Sequence, residues 1–247
     1  MQESFTIQIA GLNACVQPLF ESTRHYCASY LTTGEPEIFV PVTKDDLVYE
    51  QKLAEIEAVE EGLRIRKFTD PFLERATIQR KIALELIKRD TILFHGSTVA
   101  VDGFAYLFTA PCGTGKSTHT RLWMELFGSR AVMVNDDKAF LQITSSGVYA
   151  YGSPWSGKHG LDTNVCMPLK GICILQRGLE NVINRIEPEK YISELRHQSF
   201  IPQDPRLHKM AVTLVDDLSQ IVPLWGLKCV NDISAAHVSY DAMSSVL

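Results

Sequence analysis

Apolar and polar positions change rhythm several times along the chain, and each change predicts an element. In SFTIQIAGLNACVQPL the two kinds alternate and break at Gly11-Leu12-Asn13, which predicts a hairpin. ESTRHYCASYL predicts a short helix, EIFVPVT a strand ended by turn formers, and KDDLVYEQKLAEIEAVEEG a charged helix that stops at Gly62. Asp70-Pro71 supplies an N-cap and a first-turn proline. Leu73, Ala76, Leu84 and Ile87 then share one helical face, so a further helix is expected to end near Asp90.

From Thr91 the rhythm becomes strand-like. TILFHGSTVAV and FAYLFTA flank Asp102-Gly103, and Asp-Gly between two apolar runs predicts a tight hairpin with positive φ at both turn residues. With those two residues as the turn, Val101 faces Phe104, and extrapolation of the same register places His95 opposite Ala110. STHTRLWMELFG predicts a helix closed by Gly128, and RAVMVNDD a buried strand ending in two carboxylates. AFLQITSSGVYAYGSP predicts another hairpin, PLKGICIL a buried strand and NVINRIEP a short edge strand. Asp204-Pro205 caps a helix with Leu207, Met210, Ala211, Leu214, Val215 and Leu218 at helical spacing. VPLWGLKCV and a last short helix from about Asp232 complete the chain. The pattern predicts an α/β protein in two parts, a smaller α/β segment at 1–90 and a larger α/β core at 91–247.

Composition changes this picture little. Of 247 residues, 45% are apolar and 21% charged, as in an ordinary globular protein, so neither disorder nor a fibrous repeat is expected. The net charge of −5 argues against a nucleic-acid partner, which would require a basic surface. Six scattered cysteines, with no C-x-x-C pair, read as reduced and mostly buried thiols. MQESFTIQIAGLN lacks the basic start and apolar centre of a signal peptide, and no run approaches the ~18 apolar residues of a membrane span. A soluble, cytoplasmic protein with no membrane contact is expected.

The chemistry concentrates in TAPCGTGKSTHT. Ala110-x-x-x-x-Gly115-Lys116-Ser117 fits the phosphate-loop pattern, with alanine in place of its first glycine. Glycines at 113 and 115 let successive N–H groups turn inward around an anion, and the following helix adds its positive end. Pro111, Cys112, Gly113, Thr114, Gly115, Lys116, Ser117 and Thr118 are therefore the expected nucleotide contacts, with Ser117 placed to ligate Mg²⁺. Asn135-Asp136-Asp137 ends a strand about twenty residues on. If the backbone leaves its pleat there, one carboxylate can hold metal while the other accepts a proton.

HGSTVAVDGFAYLFTAPCGTGKST, followed closely by MVNDD, resembles HPr kinase/phosphorylase, the bacterial enzyme that phosphorylates a serine of a phosphocarrier protein. GSPWSGKHG and PLKGICILQRG look like segments of HPr-kinase-related proteins, and the wider fold group includes ATP-dependent phosphoenolpyruvate carboxykinase. The likeness is good over about 91–180 and loose elsewhere, and it implies a phosphate-loop, mixed-sheet core of that kind over 91–247.

The resemblance implies that His95, Asp136 and Asp137 are catalytic, with Asp136 as the base and Asp137 nearer the metal. It also implies that Lys158 offsets charge on the transferred group, and makes Arg177 a weaker candidate for a phosphate contact. The arginine-glycine-leucine-glycine segment of true HPr kinases is missing, and PLKGICIL stands in its place. The implied activity is an ATP- and Mg²⁺-dependent kinase acting on a hydroxyl of a protein, a peptide or a small molecule. A nucleotide-binding regulatory protein without useful transfer, a phosphate-dependent phosphorylase and a homo-oligomer remain open.

Overall fold

The computed structural model describes residues 2–60, 62 and 64–245. The chain divides into two compact units, one up to Glu85 and one from Leu86, five residues before the expected boundary and inside a helix.

The first unit opens with β1 (Phe5–Ile9) and β2 (Leu12–Gln17), the expected hairpin. Its turn residues Ala10 and Gly11 both have positive φ, 47° and 79°. Strict alternation buries Phe5, Ile7, Ile9, Leu12, Ala14 and Val16 on one face. After the short helix α1 (Glu21–Tyr26), β3 (Ile38–Pro41) pairs parallel with β2. Next come α2 (Lys44–Glu60) and α3 (Asp70–Ile87), of which α3 begins on Asp70 itself, with the Thr69 carbonyl accepting from Phe72 and Leu73. The fully buried Glu74 carboxylate accepts from the Leu19 N–H and the Thr23 hydroxyl, tying α3 to the chain around α1.

The second unit is a nine-stranded mixed sheet between two helical layers. Here the strand expected over 91–101 divides at Gly96 into β4 (Thr91–His95) and β5 (Ser97–Val101). The pairing partner changes there, from β8 to β6, and the chain passes so close to β6 that a Cβ on Gly96 would lie 2.8 Å from the Leu107 side chain and 3.0 Å from the Phe108 carbonyl oxygen. The Gly96 N–H donates to the Asp137 carbonyl at 2.9 Å. Then come β6 (Phe104–Thr109), α4 (Lys116–Phe127), β7 (Ala131–Asn135), β8 (Lys138–Thr144) and β9 (Gly147–Tyr151). The chain ends with β10 (Cys166–Arg177), β11 (Val182–Arg185), α5 (Pro188–His197), α6 (Pro205–Ile221), β12 (Leu224–Cys229) and α7 (Ile233–Ser244).

Strand order is β4-β8-β9-β10-β6-β5-β7, with β12 on the second half of β10 and β11 on β12. β4 and β5 follow one another in sequence yet stand near opposite ends of that order, so the sheet is curled. β6, β10 and β12 run parallel. They are buried on both faces, as parallel strands covered by helices are. Ala105, Leu107, Ile172 and Leu224 join a core with Leu214, Val215 and Leu218 of α6. Tyr106, Phe108, Cys173 and Trp225 join a second core with Trp123 of α4 and Met243 of α7. Helix α6 starts as expected, the Asp204 carboxylate accepting from the Arg206 and Leu207 N–H groups.

Three sequence expectations need correction. The β5–β6 register holds from Val101–Phe104 to Ser97–Phe108 and stops there, so His95 lies across from Lys138 of β8 and not opposite Ala110. Helix α5 was not foreseen. Of the six thiols, Cys27 and Cys173 are buried while Cys112 and Cys166 are exposed, so burial is not their general state.

Candidate active site

β6 and α4 place residues 110–115 between a fully buried strand end and a helix N-terminus, where N–H groups lack intrahelical partners. Gly113 and Gly115 have φ of 77° and 124°, a region that side chains bearing a Cβ rarely enter. Space is not the constraint, since a Cβ at either would meet nothing within 4 Å; the backbone turn is. Lys116 is buried, and its Nζ donates to the Ala110 carbonyl at 2.9 Å across the loop. Pro111 and Cys112 are exposed, Thr114, Ser117 and Thr118 half-buried.

β7 brings the acidic pair to the same place from the other side of β5. Asn135 breaks the strand: its Oδ1 accepts from the Asp137 N–H at 2.8 Å and the Lys138 N–H at 2.6 Å, and its Nδ2 donates to the Ser153 carbonyl at 2.9 Å. An asparagine side chain that captures the backbone two and three residues on makes a local turn. The two aspartates consequently diverge. Asp136 is 5% exposed and accepts at 2.7 Å from Ser97 Oγ, which lies 2.7 Å from Thr120 Oγ1 in α4. The Asp137 side chain is 34% exposed, with Oδ1 3.4 Å from His95 Nε2. Burial raises the Asp137 carboxyl, but the hydrogen bond from His95 and the charges of Lys138, His95 and Lys116 outweigh it and hold the group below the ordinary carboxylate range.

His95 therefore reaches the site by a different route from the one its register suggested. β4 delivers it beside Asp137, with its N–H on the Gln198 carbonyl at 2.7 Å and its own carbonyl accepting from Thr109 Oγ1 at 2.9 Å. The 152–163 segment folds back over the acids: the Asp136 N–H donates to the Leu161 carbonyl, and a Cβ on Gly157 would lie 3.1 Å from that of Asp137. Lys158 follows on a single exposed turn, Gly157–His159.

On the other flank of the loop, the C-terminal ends of the parallel strands β10 and β12 frame a cavity of about 500 Å³ against Thr118, His119 and Leu122 of α4. Clefts of this size at the carboxyl ends of parallel strands are where α/β sheets commonly hold small ligands. Arg177, the last residue of β10, stands at its edge and donates to the Gly113 carbonyl at 2.6 Å and the Thr114 carbonyl at 3.5 Å. His119 closes the inner wall; burial pushes its pKa down to about 4, and its Nε2 lies 3.0 Å from Ser239 Oγ.

The loop, the acidic pair and His95 thus converge, while Lys158 joins them only through its neighbour Gly157. Sequence reasoning missed Ser97 and Thr120, and it placed Asn135 beside the acids without giving it a role. Asparagine directly before two acids is a readable turn signal, whereas Ser97 and Thr120 carry none, because their meeting depends on the packing of α4 on β5.

Ser117 with either aspartate offers too few oxygens for a closed cage. Among the described residues no cluster of three or more His, Cys, Asp or Glu could hold a metal. Such a donor set fits a hard cation that takes its remaining ligands from phosphates and water. No helix of the described residues is long and apolar enough to cross a membrane.

No family model and no curated protein matches the chain. Among solved structures it is similar to "Structure of the Hpr(Ser) kinase/phosphatase from Coxiella burnetii", with 12% identity and a TM-score of 0.33 over 62% of this chain and 99% of that chain. A likeness at that level decides neither fold nor chemistry.

Proposed function

We propose that the second unit is an ATP- and Mg²⁺-dependent kinase that transfers the terminal phosphate to a hydroxyl of a protein, peptide or small molecule. One observation carries the reading: a glycine-turned loop with Lys116 beneath it has a nucleoside-sized cavity on one flank and an Asp137–His95 pair on the other. The N–H groups at the start of α4 and Lys116 bind and orient the phosphates, with the base in the cavity. Mg²⁺ would supply neutralisation of phosphate charge and would be held by Ser117 and one aspartate.

The division between the acids is proposed as the reverse of the one the resemblance implied. Asp136 is nearly enclosed and linked through Ser97 to the early part of α4, which suits the metal side. Asp137 is open to an incoming hydroxyl and ionised at neutral pH, so it accepts the hydroxyl proton, while His95 keeps its carboxylate in place. Lys158, on the exposed turn that follows Gly157 beside Asp137, would offset charge on the transferred group.

The test is incubation with labelled ATP and a panel of hydroxyl acceptors, alongside Asp136→Asn and Asp137→Asn. Loss of the general base should lower the rate on the order of 10²-fold or more in Asp137→Asn at near-normal ATP affinity, whereas Asp136→Asn should raise the Mg²⁺ requirement. ATP binding without any labelled product would leave a nucleotide-binding protein and remove the kinase.

A further inference from the structure

Arg177 contacts the backbone of the loop from outside it. It ends β10 and reaches sideways, Nη2 donating to the Gly113 carbonyl at 2.6 Å and Nε lying 3.5 Å from the Thr114 carbonyl. Across a trans peptide the C=O and the next N–H point in opposite directions. Drawing the carbonyls of residues 113 and 114 toward β10 therefore turns the N–H groups of Thr114 and Gly115 to the other side of the loop. Of these two, the Thr114 N–H is taken by the Pro111 carbonyl at 3.2 Å, closing a tight turn around Gly113, so the Gly115 N–H is the one that this arrangement offers to an anion.

The planar guanidinium carries several donors in a fixed fork, so one side chain can hold two neighbouring carbonyls where a lysine ammonium would hold them loosely. Glycines at 113 and 115 permit this turn but do not impose it, because glycine enters many conformations with similar ease. Something outside the loop has to select one of them.

We propose that Arg177 is a positioning residue that sets the loop in its anion-accepting conformation before any nucleotide arrives. It acts on the loop carbonyls and not on the phosphate. The proposal rests on reading 110–117 as a phosphate loop, and it gives β10 a part in nucleotide affinity that none of the loop residues supplies.

The test compares wild type, Arg177→Met, which keeps length but has no donor, and Arg177→Lys, which restores charge and a donor. The protein carries ¹⁵N only at glycine, and the spectrum is recorded without nucleotide. The expected result is that the Gly113 and Gly115 resonances shift or broaden in Arg177→Met while glycines distant from the loop stay in place, with partial recovery in Arg177→Lys. ATP affinity by calorimetry should fall on the order of tenfold in Arg177→Met, with kcat at saturating ATP within a few fold of wild type, because a loop once bound has the same shape.

Unchanged glycine resonances with a fall in affinity would overturn the proposal in favour of direct phosphate contact, and unchanged resonances with unchanged affinity would remove any role. If wild type failed to bind ATP, the phosphate-loop reading would fall while the resonances still decided whether Arg177 sets the loop. A melt of each variant guards against general unfolding, which would displace all glycine resonances together.

Discussion

Removing the Ser97 hydroxyl should weaken the second unit by an amount the structure allows one to work out. Ser97 is fully buried, and its Oγ is 2.7 Å from both Asp136 Oδ1 and Thr120 Oγ1. In Ser97→Ala the Asp136 carboxylate loses a charge-assisted donor, a loss of about 1.5–3 kcal/mol for a hydrogen bond to an ionised group. Thr120 suffers less, since its hydroxyl still has the Lys116 and Ser117 carbonyls at 3.4 and 3.3 Å. The expected sum is about 2 kcal/mol. Trp123, Trp155 and Trp225 all lie after residue 86, so urea unfolding followed by tryptophan fluorescence reports the second unit. With a slope of roughly 2 kcal/mol per molar urea, the midpoint should fall by about 1 M at constant slope. Ser97→Ala combined with Asp136→Asn should lose less than the two single changes together, because an uncharged side chain no longer needs the missing donor. A midpoint shift below about 0.3 M, or strict additivity, would refute the reasoning.

His119 should make the second unit sensitive to mild acid. Burial favours the neutral ring, with a pKa of about 4 against 6.5, so the unfolded chain takes up the proton first. The His119 contribution is complete above about pH 6.5 and declines as pH falls toward 4, by about 3 kcal/mol over that window. His119→Gln should flatten the fall in urea midpoint between those pH values, and an identical fall in the variant would show that other groups cause it. Gly115→Ala forces a Cβ onto a φ of 124°, a strain of about 1–3 kcal/mol that the loop would relieve by turning its N–H groups away. ATP affinity by calorimetry should then fall on the order of tenfold or more, and wild-type affinity would mean that the loop does not need this conformation.

The acidic pair illustrates how far local reading went. A strand ending in Asn-Asp-Asp near a glycine-rich loop was visible in the sequence, and so was the need for the chain to leave its pleat. Only the structure supplies the device, the Asn135 side chain on the 137 and 138 amides, and only it separates an enclosed Asp136 from an open Asp137. Helix α5 escaped notice because its apolar positions are few. Tyr191, Ile192 and Leu195 span barely one and a half turns, and of its residues Leu195 alone is fully buried.

Hairpin turns, helix caps and the loop itself follow from residue chemistry within a few positions of the chain: Asp-Gly with positive φ, Asp204 on its own helix N–H groups, glycines where the backbone turns. That range of interaction is short enough for one sequence to determine. The route of His95 was decided elsewhere, where Gly96 and Leu107 approach too closely to admit a Cβ, a contact that only a packed sheet creates. The cavity beside the loop likewise comes from ends of β10 and β12 that lie over fifty residues apart in the chain. Contacts of that kind depend on close packing between distant segments, which the periodicity of any one segment does not encode.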